Sequence, residues 1–391
     1  IDDSEAKWPG WKKIPPLFRK VATVDGKVYG LPLPVKDMLA IIYRVDLVSA
    51  AGLDPNKPPK TWDELLYWCY KLTDTNRIIP GAVTQQGQKG ICLPAWGYLF
   101  LPWIQSAGGE PIIQIRKSPK TGKEYTFPLY ETKFITQEGE ELSKQPSQWR
   151  ANFDSPEALE AIGFLYQLRW GKWLNVNGEP VTLKDAIKKG IEYSEEDIIT
   201  GVARTDSGGQ RGESMWELLG RGEVAMVIRT VTDLSAVGTY AHLDPSLLSW
   251  FPYPAAPGPK GQRVIQTQNH YAVMYVGVAD RSKEERDAVW KTMTAICDEK
   301  VIDANIESQV LSGMSKFVSP ENLRRLGYEE YIRDIPLAIR QNFTDIEKGN
   351  IKAYTEPWIG FWLPINMAIN NKCLGIMLGS KGEDFHYKDA I

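Results

Sequence analysis

The stretch Asp25–Asp46, DGKVYGLPLPVKDMLAIIYRVD, decides how the rest of the chain is read. A turn dipeptide, Asp25-Gly26, precedes a short strand-like run from Lys27 to Leu31. Pro32 and Pro34 follow, and their rings fix φ and disfavour helix in the residues before them. A second apolar run, Met38 to Tyr43, ends at Asp46. Two strands joined by an extended, proline-stiffened link suit a chain crossing between lobes. Lys36 and Asp37 place polar side chains in the middle of that crossing. An ordinary β-connection within one domain would carry the same pattern.

Composition narrows the class. A chain of 391 residues exceeds the size at which a single core usually stops growing, so two lobes are expected. A net charge of −3, with basic residues dispersed among acids, gives no electrostatic case for nucleic acid. No apolar run approaches the roughly 20 residues of a membrane helix. Four cysteines, Cys69, Cys92, Cys297 and Cys373, form no C-x-x-C pair, and with three histidines a zinc site is not expected. Cys69 and Cys297 lie in helix-like patterns and read as small buried hydrophobes. A Cys69–Cys92 disulfide is compatible with export and is left open by the sequence.

Local signals give an α/β architecture. Thr61 with Glu64 forms a capping box, followed by the apolar stripe Leu65, Leu66, Cys69 and Leu72. Asp154 with Glu157 predicts a second start, with Pro156 in the first turn, and Ser282 with Glu285 a third. Strands are expected at Val224 to Ile228 and Tyr271 to Val278. Segments 115–150 and 175–213 are polar and turn-rich and read as surface excursions. The glycine-rich run 206–212 lacks the spacing of a phosphate loop. Neither a G-x-S-x-G elbow nor an H-E-x-x-H pair is present.

Several blocks, in order, carry a resemblance. They are the opening stretch with AGLDPNKPPKTWDELLYWCYKLT at 51–73, LPWIQSAGGEPI at 101–112 and FDSPEALEAIGFLYQLRWGKW at 153–173. WELLGRGEVAMVI at 216–228 and PYPAAPGPKGQRV at 252–264 complete the series. The chain resembles the extracellular solute-binding proteins of ABC importers, in the sugar- and oligosaccharide-binding branch of maltose-binding type. The resemblance implies a two-lobe, type II periplasmic-binding-protein-like α/β fold, with hinge strands and a ligand cleft between the lobes. It assigns 1–34 and 268–314 to what is present of the N-terminal lobe, and 35–267 and 315–391 to the C-terminal lobe. Family members carry further βα units before the GKVYGLP segment. The resemblance therefore implies an additional N-terminal segment, on the same or a separate chain, that completes the first lobe's sheet.

The same resemblance points to site residues. Tyr98 matches a stacking tyrosine before the Pro102…Gly108-Gly109 motif, and Trp96 stands where relatives have an acid, so an aromatic contact replaces a polar one. Trp103 reads as core. After the strand ending at Ile228 come Arg229, Thr232 and Asp233; Thr232 stands in place of a common tryptophan, which weakens a strict maltodextrin analogy. Arg229 suits a carboxylate, a phosphate or vicinal hydroxyls, or a structural ion pair. In the run 266–270 at the second crossing, Asn269 and then His270 are the candidates. Near the C-terminus Trp358 and Trp362 match aromatic positions of the family, one facing the cleft and the other packing. Flat aromatic faces suit the C–H side of a pyranose and polar side chains suit its hydroxyls. The expected function is capture of a sugar or oligosaccharide and delivery to a membrane permease, at the periplasmic or extracellular face, with a lipid anchor and without cofactor, metal or catalysis. The alternatives are a glycan-processing enzyme and a solute-binding fold reused as a structural or sensory subunit.

Overall fold

The computed structural model describes residues 8–14, 16–24, 27–33, 37–82, 85–94, 96–131, 133–143, 146–205, 214–231, 242–268, 271–274, 276–355, 359–379 and 382–384. Among them the strands are, in chain order, β1 (Thr23–Val24), β2 (Lys27–Val28), β3 (Leu31–Pro32), β4 (Asp37–Arg44), β5 (Lys89–Leu93), β6 (Ile112–Lys117), β7 (Glu124–Pro128), β8 (Gln148–Ala151) and β9 (Lys172–Val176). β10 (Glu179–Thr182), β11 (Ile199–Thr200), β12 (Ala203–Thr205), β13 (Val224–Thr230), β14 (Leu248–Phe251), β15 (Val264–Gln268), β16 (Tyr271–Ala272) and β17 (Lys352–Thr355) follow.

A mixed sheet in the order β12-β5-β13-β4-β15-β17 organises the larger lobe, with β14 also paired to β4. Within it β12–β5, β5–β13 and β15–β17 are parallel. β4 runs against its partners β13, β14 and β15. Both faces are covered, which is why β4 and β13 are apolar almost throughout rather than alternating. Leu39, Ile41 and Tyr43 face one core with Ile91, Leu93, Met226 and Ile228. That core includes Trp62, Leu65 and Cys69 from the helix Trp62–Lys71, and Ile162 and Leu165 from the helix Pro156–Trp170. Ala40, Ile42, Cys92, Val227 and Ile265 face the other core, under Trp216, Leu219, Ile339 and Phe343. Trp250 is fully buried there and meets Phe343 edge-on at 5.4 Å.

The segments expected as excursions form two small antiparallel sheets, β7-β6-β8 and β10-β9-β11. Buried Glu223 holds the β12 side of the large sheet, receiving Arg221 Nε at 2.6 Å and pairing with Arg204. The four cysteines are buried thiols outside any disulfide, so the Cys69–Cys92 bridge left open above is not formed.

The other lobe is small. β3 pairs with β16 over two residues, and β1 with β2 likewise. Its apolar contacts centre on Leu31, Met293 and Cys297, with Trp8, Trp11 and Trp290 packed alongside. Of the helix Lys283–Ile296 only Met293 is buried. The expected strand at Tyr271–Val278 is shorter, because 276–280 winds into a 3-10 turn. The expected 268–314 division is also cut differently by packing. Ile306 and Val310 of the helix Glu299–Leu311, and Met314 after it, lie in the larger lobe's second core. At the helix beginning Pro156, the cap is Ser155 rather than Asp154: its hydroxyl accepts from Ala158 N at 3.2 Å. The capping boxes at Thr61/Glu64 and Ser282/Glu285 form as read.

Glu110, in the turn before β6, is largely removed from water, and burial pushes its carboxyl up to about 7 against the opposing pull of Lys352. A carboxyl raised on folding holds more protons in the native state between about pH 4.5 and 7, so stability falls as pH rises through that window. Glu110→Gln is expected to flatten this slope and to be the more stable protein at pH 7. Urea midpoints of both proteins at pH 5 and pH 7 check it.

Candidate functional site

Strand register brings several chain segments to one edge of the large sheet. Leu93 ends β5 beside Thr205 of β12, and β13 continues past the register Val227–Cys92 to Thr230. Thr230 lies opposite Leu39, and Gln268 opposite Asp37. Thr267 lies beside Thr355 at the end of β17. The carboxyl ends of five strands and the amino end of antiparallel β4 therefore share this edge. In open α/β sheets the crevice beyond the carboxyl ends is where ligands bind. The two crossings between lobes leave from the same edge, β3 to β4 and β15 to β16.

Three sequence candidates meet here. Trp96 stands three residues past the end of β5, half-buried, and its ring lies 5.8 Å from that of Tyr98 at 35°. The Arg229 guanidinium carbon lies 4.9 Å from the centre of the Trp96 ring. On β13 Arg229 is opposite Ala40, and its Nε is buried without a hydrogen-bond partner. Tyr98 belongs to a 3-10 turn, Gly97–Leu99, fixed by the helix Ile359–Ile369: Asn366 Oδ1 accepts from Tyr98 N at 3.2 Å. Gly97 permits that approach, since a Cβ there would stand 3.0 Å from Asn366 Cα and 3.1 Å from its carbonyl oxygen. Trp103 is core, as read, at 1% exposure.

The other candidates are placed in part or not at all. Asp37 lies on β4 and Trp362 on the helix Ile359–Ile369, both by backbone alone. Lys36, Thr232, Asp233, Asn269, His270 and Trp358 lie outside the described residues. In sequence each follows or precedes one of the strand ends above by one to three positions.

Gln266 is a residue that sequence reading passed over in favour of Asn269 and His270. It lies opposite Leu39 and beside Tyr354, 1% exposed, and neither atom of its amide has a hydrogen-bond partner. A buried amide without partners costs about 1–3 kcal/mol per unmet group, which singles the position out. The available signal was a glutamine directly after the apolar pair Val264-Ile265.

A groove of about 720 Å³, lined by Lys60, Tyr67, Trp68, Arg263, Leu337 and Gln341 among others, lies at the opposite edge. Arg263 precedes β15, whereas the candidate edge is where β15 ends. Arg263 there is paired with Asp345 at 2.9 Å and with Asn342 Oδ1 at 3.0 Å.

Among the described residues no group of acids, cysteines and histidines could hold a metal ion, and no helix is long and apolar enough to cross a membrane.

The mixed sheet with covered faces, its strand ends gathered at one edge, sets the architecture to be compared. The family described as bacterial extracellular solute-binding protein matches residues 1–300, and the chain belongs to that family. An ABC-transporter solute-binding protein of Thermotoga lettingae, solved with α-D-tagatose, is similar with a TM-score of 0.57 at 20% identity, over 100% of this chain and 76% of that one. A substrate-binding protein of Listeria monocytogenes in complex with cycloalternan gives 0.57 at 15%, over 98% and 76%. A maltose/maltodextrin-binding domain from Bdellovibrio bacteriovorus bound to maltotriose gives 0.54 at 15%, over 97% and 74%. At such identities the likeness is one of fold, and it is the two-lobe fold expected from the sequence. A comparison with curated proteins gave no match.

Gly97→Ala is expected to push the turn 97–99 away from Asn366 and to loosen Tyr98. The expected cost is about 1–3 kcal/mol, typical of overpacking, because the helix bearing Asn366 and Ile369 must give by a few tenths of an ångström. Thermal unfolding measures the loss, and a shift in tryptophan emission reports the displaced Trp96. An unchanged midpoint and spectrum would show that the turn does not depend on this contact.

Proposed function

We propose that this solute-binding protein captures a sugar or oligosaccharide in the crevice at the carboxyl edge of its large sheet and passes it to the permease of an ABC importer. The observation that carries the reading is the Trp96–Tyr98 pair, half-buried, with its rings 5.8 Å apart, beside the strand ends. Adjacent tilted aromatic faces fit the C–H side of a pyranose, and the polar candidates around the edge suit its hydroxyls. Neighbours of the same fold were solved with tagatose, cycloalternan and maltotriose, which supports the assignment. Binding proceeds without turnover. Residues on both sides of the crossings contact the ligand, so its binding shifts an open–closed equilibrium toward the closed form. In this reading Lys36, Asp37, Thr232, Asp233, Asn269, His270, Trp358 and Trp362 complete the contact set.

The proposal extends to the small lobe. Among the described residues the two-residue ladder between β3 and β16 has no further strand beside it, and Tyr29 and Val273 nearby are 61% and 65% exposed. Open edges pair readily with further strands. A further polypeptide segment, on the same or another chain, is the partner this edge fits.

Calorimetry with a panel of mono- and oligosaccharides tests the main reading. Stoichiometric binding with no product is expected, and Tyr98→Ala should weaken it on the order of tenfold. If no sugar binds while an amino acid or peptide does, the carbohydrate assignment is wrong. If sugar is consumed, the glycan-processing alternative replaces it.

A further inference from the structure

Several arginines of this protein are held by acids or carbonyls; Arg229, at the candidate edge, is not. Arg44 Nη2 pairs with Asp46 at 2.5 Å, Arg204 with Glu223, and Arg263 with Asp345 at 2.9 Å. Arg169 donates to the carbonyls of Leu378 and Ala203, at 3.1 and 3.2 Å. Arg229 makes neither kind of contact among the described residues. Its one recorded contact is the face of Trp96, and its Nε is buried without a partner.

A half-buried cation without a counter-charge is costly, and stacking on an indole offsets only part of that cost. Of the guanidinium nitrogens only Nε is both buried and without a partner, which leaves the terminal Nη groups to meet a ligand. Guanidinium N–H groups form a fork that matches a planar carboxylate with two parallel hydrogen bonds. Trp96 and Tyr98 lie immediately beside it, where a sugar ring is proposed to pack. A carboxylate borne on a pyranose would place its charge on Arg229 and its ring against the aromatic pair. A phosphate ester, with nearly two negative charges, calls for more than one cation, and the described residues at this edge supply one.

We infer that the ligand is an acidic sugar, a uronic acid or an oligosaccharide containing one, and that Arg229 is the residue that selects for the carboxylate. The inference rests on the carbohydrate reading above and narrows it.

The test is calorimetry of the full chain with matched neutral and uronate oligosaccharides, such as galactose and galacturonate oligomers, and with a sugar phosphate. The same titrations are run on Arg229→Met and Arg229→Lys. The expected result is preference for the uronate, lost on the order of a hundredfold in Arg229→Met and less in Arg229→Lys, which keeps the charge without the fork. Thermal midpoints of the variants should stay near that of the parent, since no structural ion pair is removed. Binding of the neutral oligomer in preference to the uronate would overturn the inference and leave the carbohydrate reading standing. Preference for the sugar phosphate would overturn the choice of carboxylate. Loss of stability in both variants with unchanged ligand preference would make Arg229 structural and overturn its selecting role. Failure of every sugar to bind would overturn both readings together.

Discussion

β4 must find backbone partners on both sides while helices cover both of its faces, and the large lobe is arranged around that demand. Leu39 through Tyr43 are 0–1% exposed. Buried N–H and C=O groups this far from water are almost always paired. β13 serves one side over five residues, and β15 and β14 divide the other, taking Asp37–Leu39 and Ile41–Arg44. Because β4 is antiparallel to strands that otherwise run together, its amino end falls beside their carboxyl ends. That polarity puts the start of β4 at the candidate edge.

The legible parts of this fold were local or carried by the opening stretch. The capping boxes at Thr61 and Ser282 require four consecutive residues, and the sequence contains them whole. The choice of Asp154 over Ser155 failed for a related reason. Both can cap a helix, and the proline at N1 decides in favour of the residue directly before it. The length of β16 was not legible, because apolar, β-branched 271–278 lacks the partner contacts that would hold it extended beyond Ala272. Nor was the allegiance of the helix Glu299–Leu311, since Ile306 and Val310 fit an apolar stripe on either lobe.

At the site, the sequence pointed to the strand ends but not to the contacts between them. Trp96, Tyr98 and Arg229 stood out by position beside recognisable blocks. That Arg229 lies over Trp96 depends on the parallel register of β5 and β13, which pairs residues more than a hundred positions apart. Asn366 reaches Tyr98 across 268 positions, and no local pattern encodes that. Gln266 was passed over because a glutamine in a strand reads as solvent-facing, until two covered faces make it buried.

The strands that form the candidate edge also lead toward the smaller lobe. On the large-lobe side, β4 and β15 are embedded in a sheet with two packed cores. On the other side lie β3 and β16, joined among the described residues by the pairs Tyr271–Pro32 and Ala272–Leu31. Elements with few pairings and little burial open at low free energy, whereas those embedded in a core open only with the whole domain. The two-residue ladder is therefore the weaker side and the large sheet the stronger.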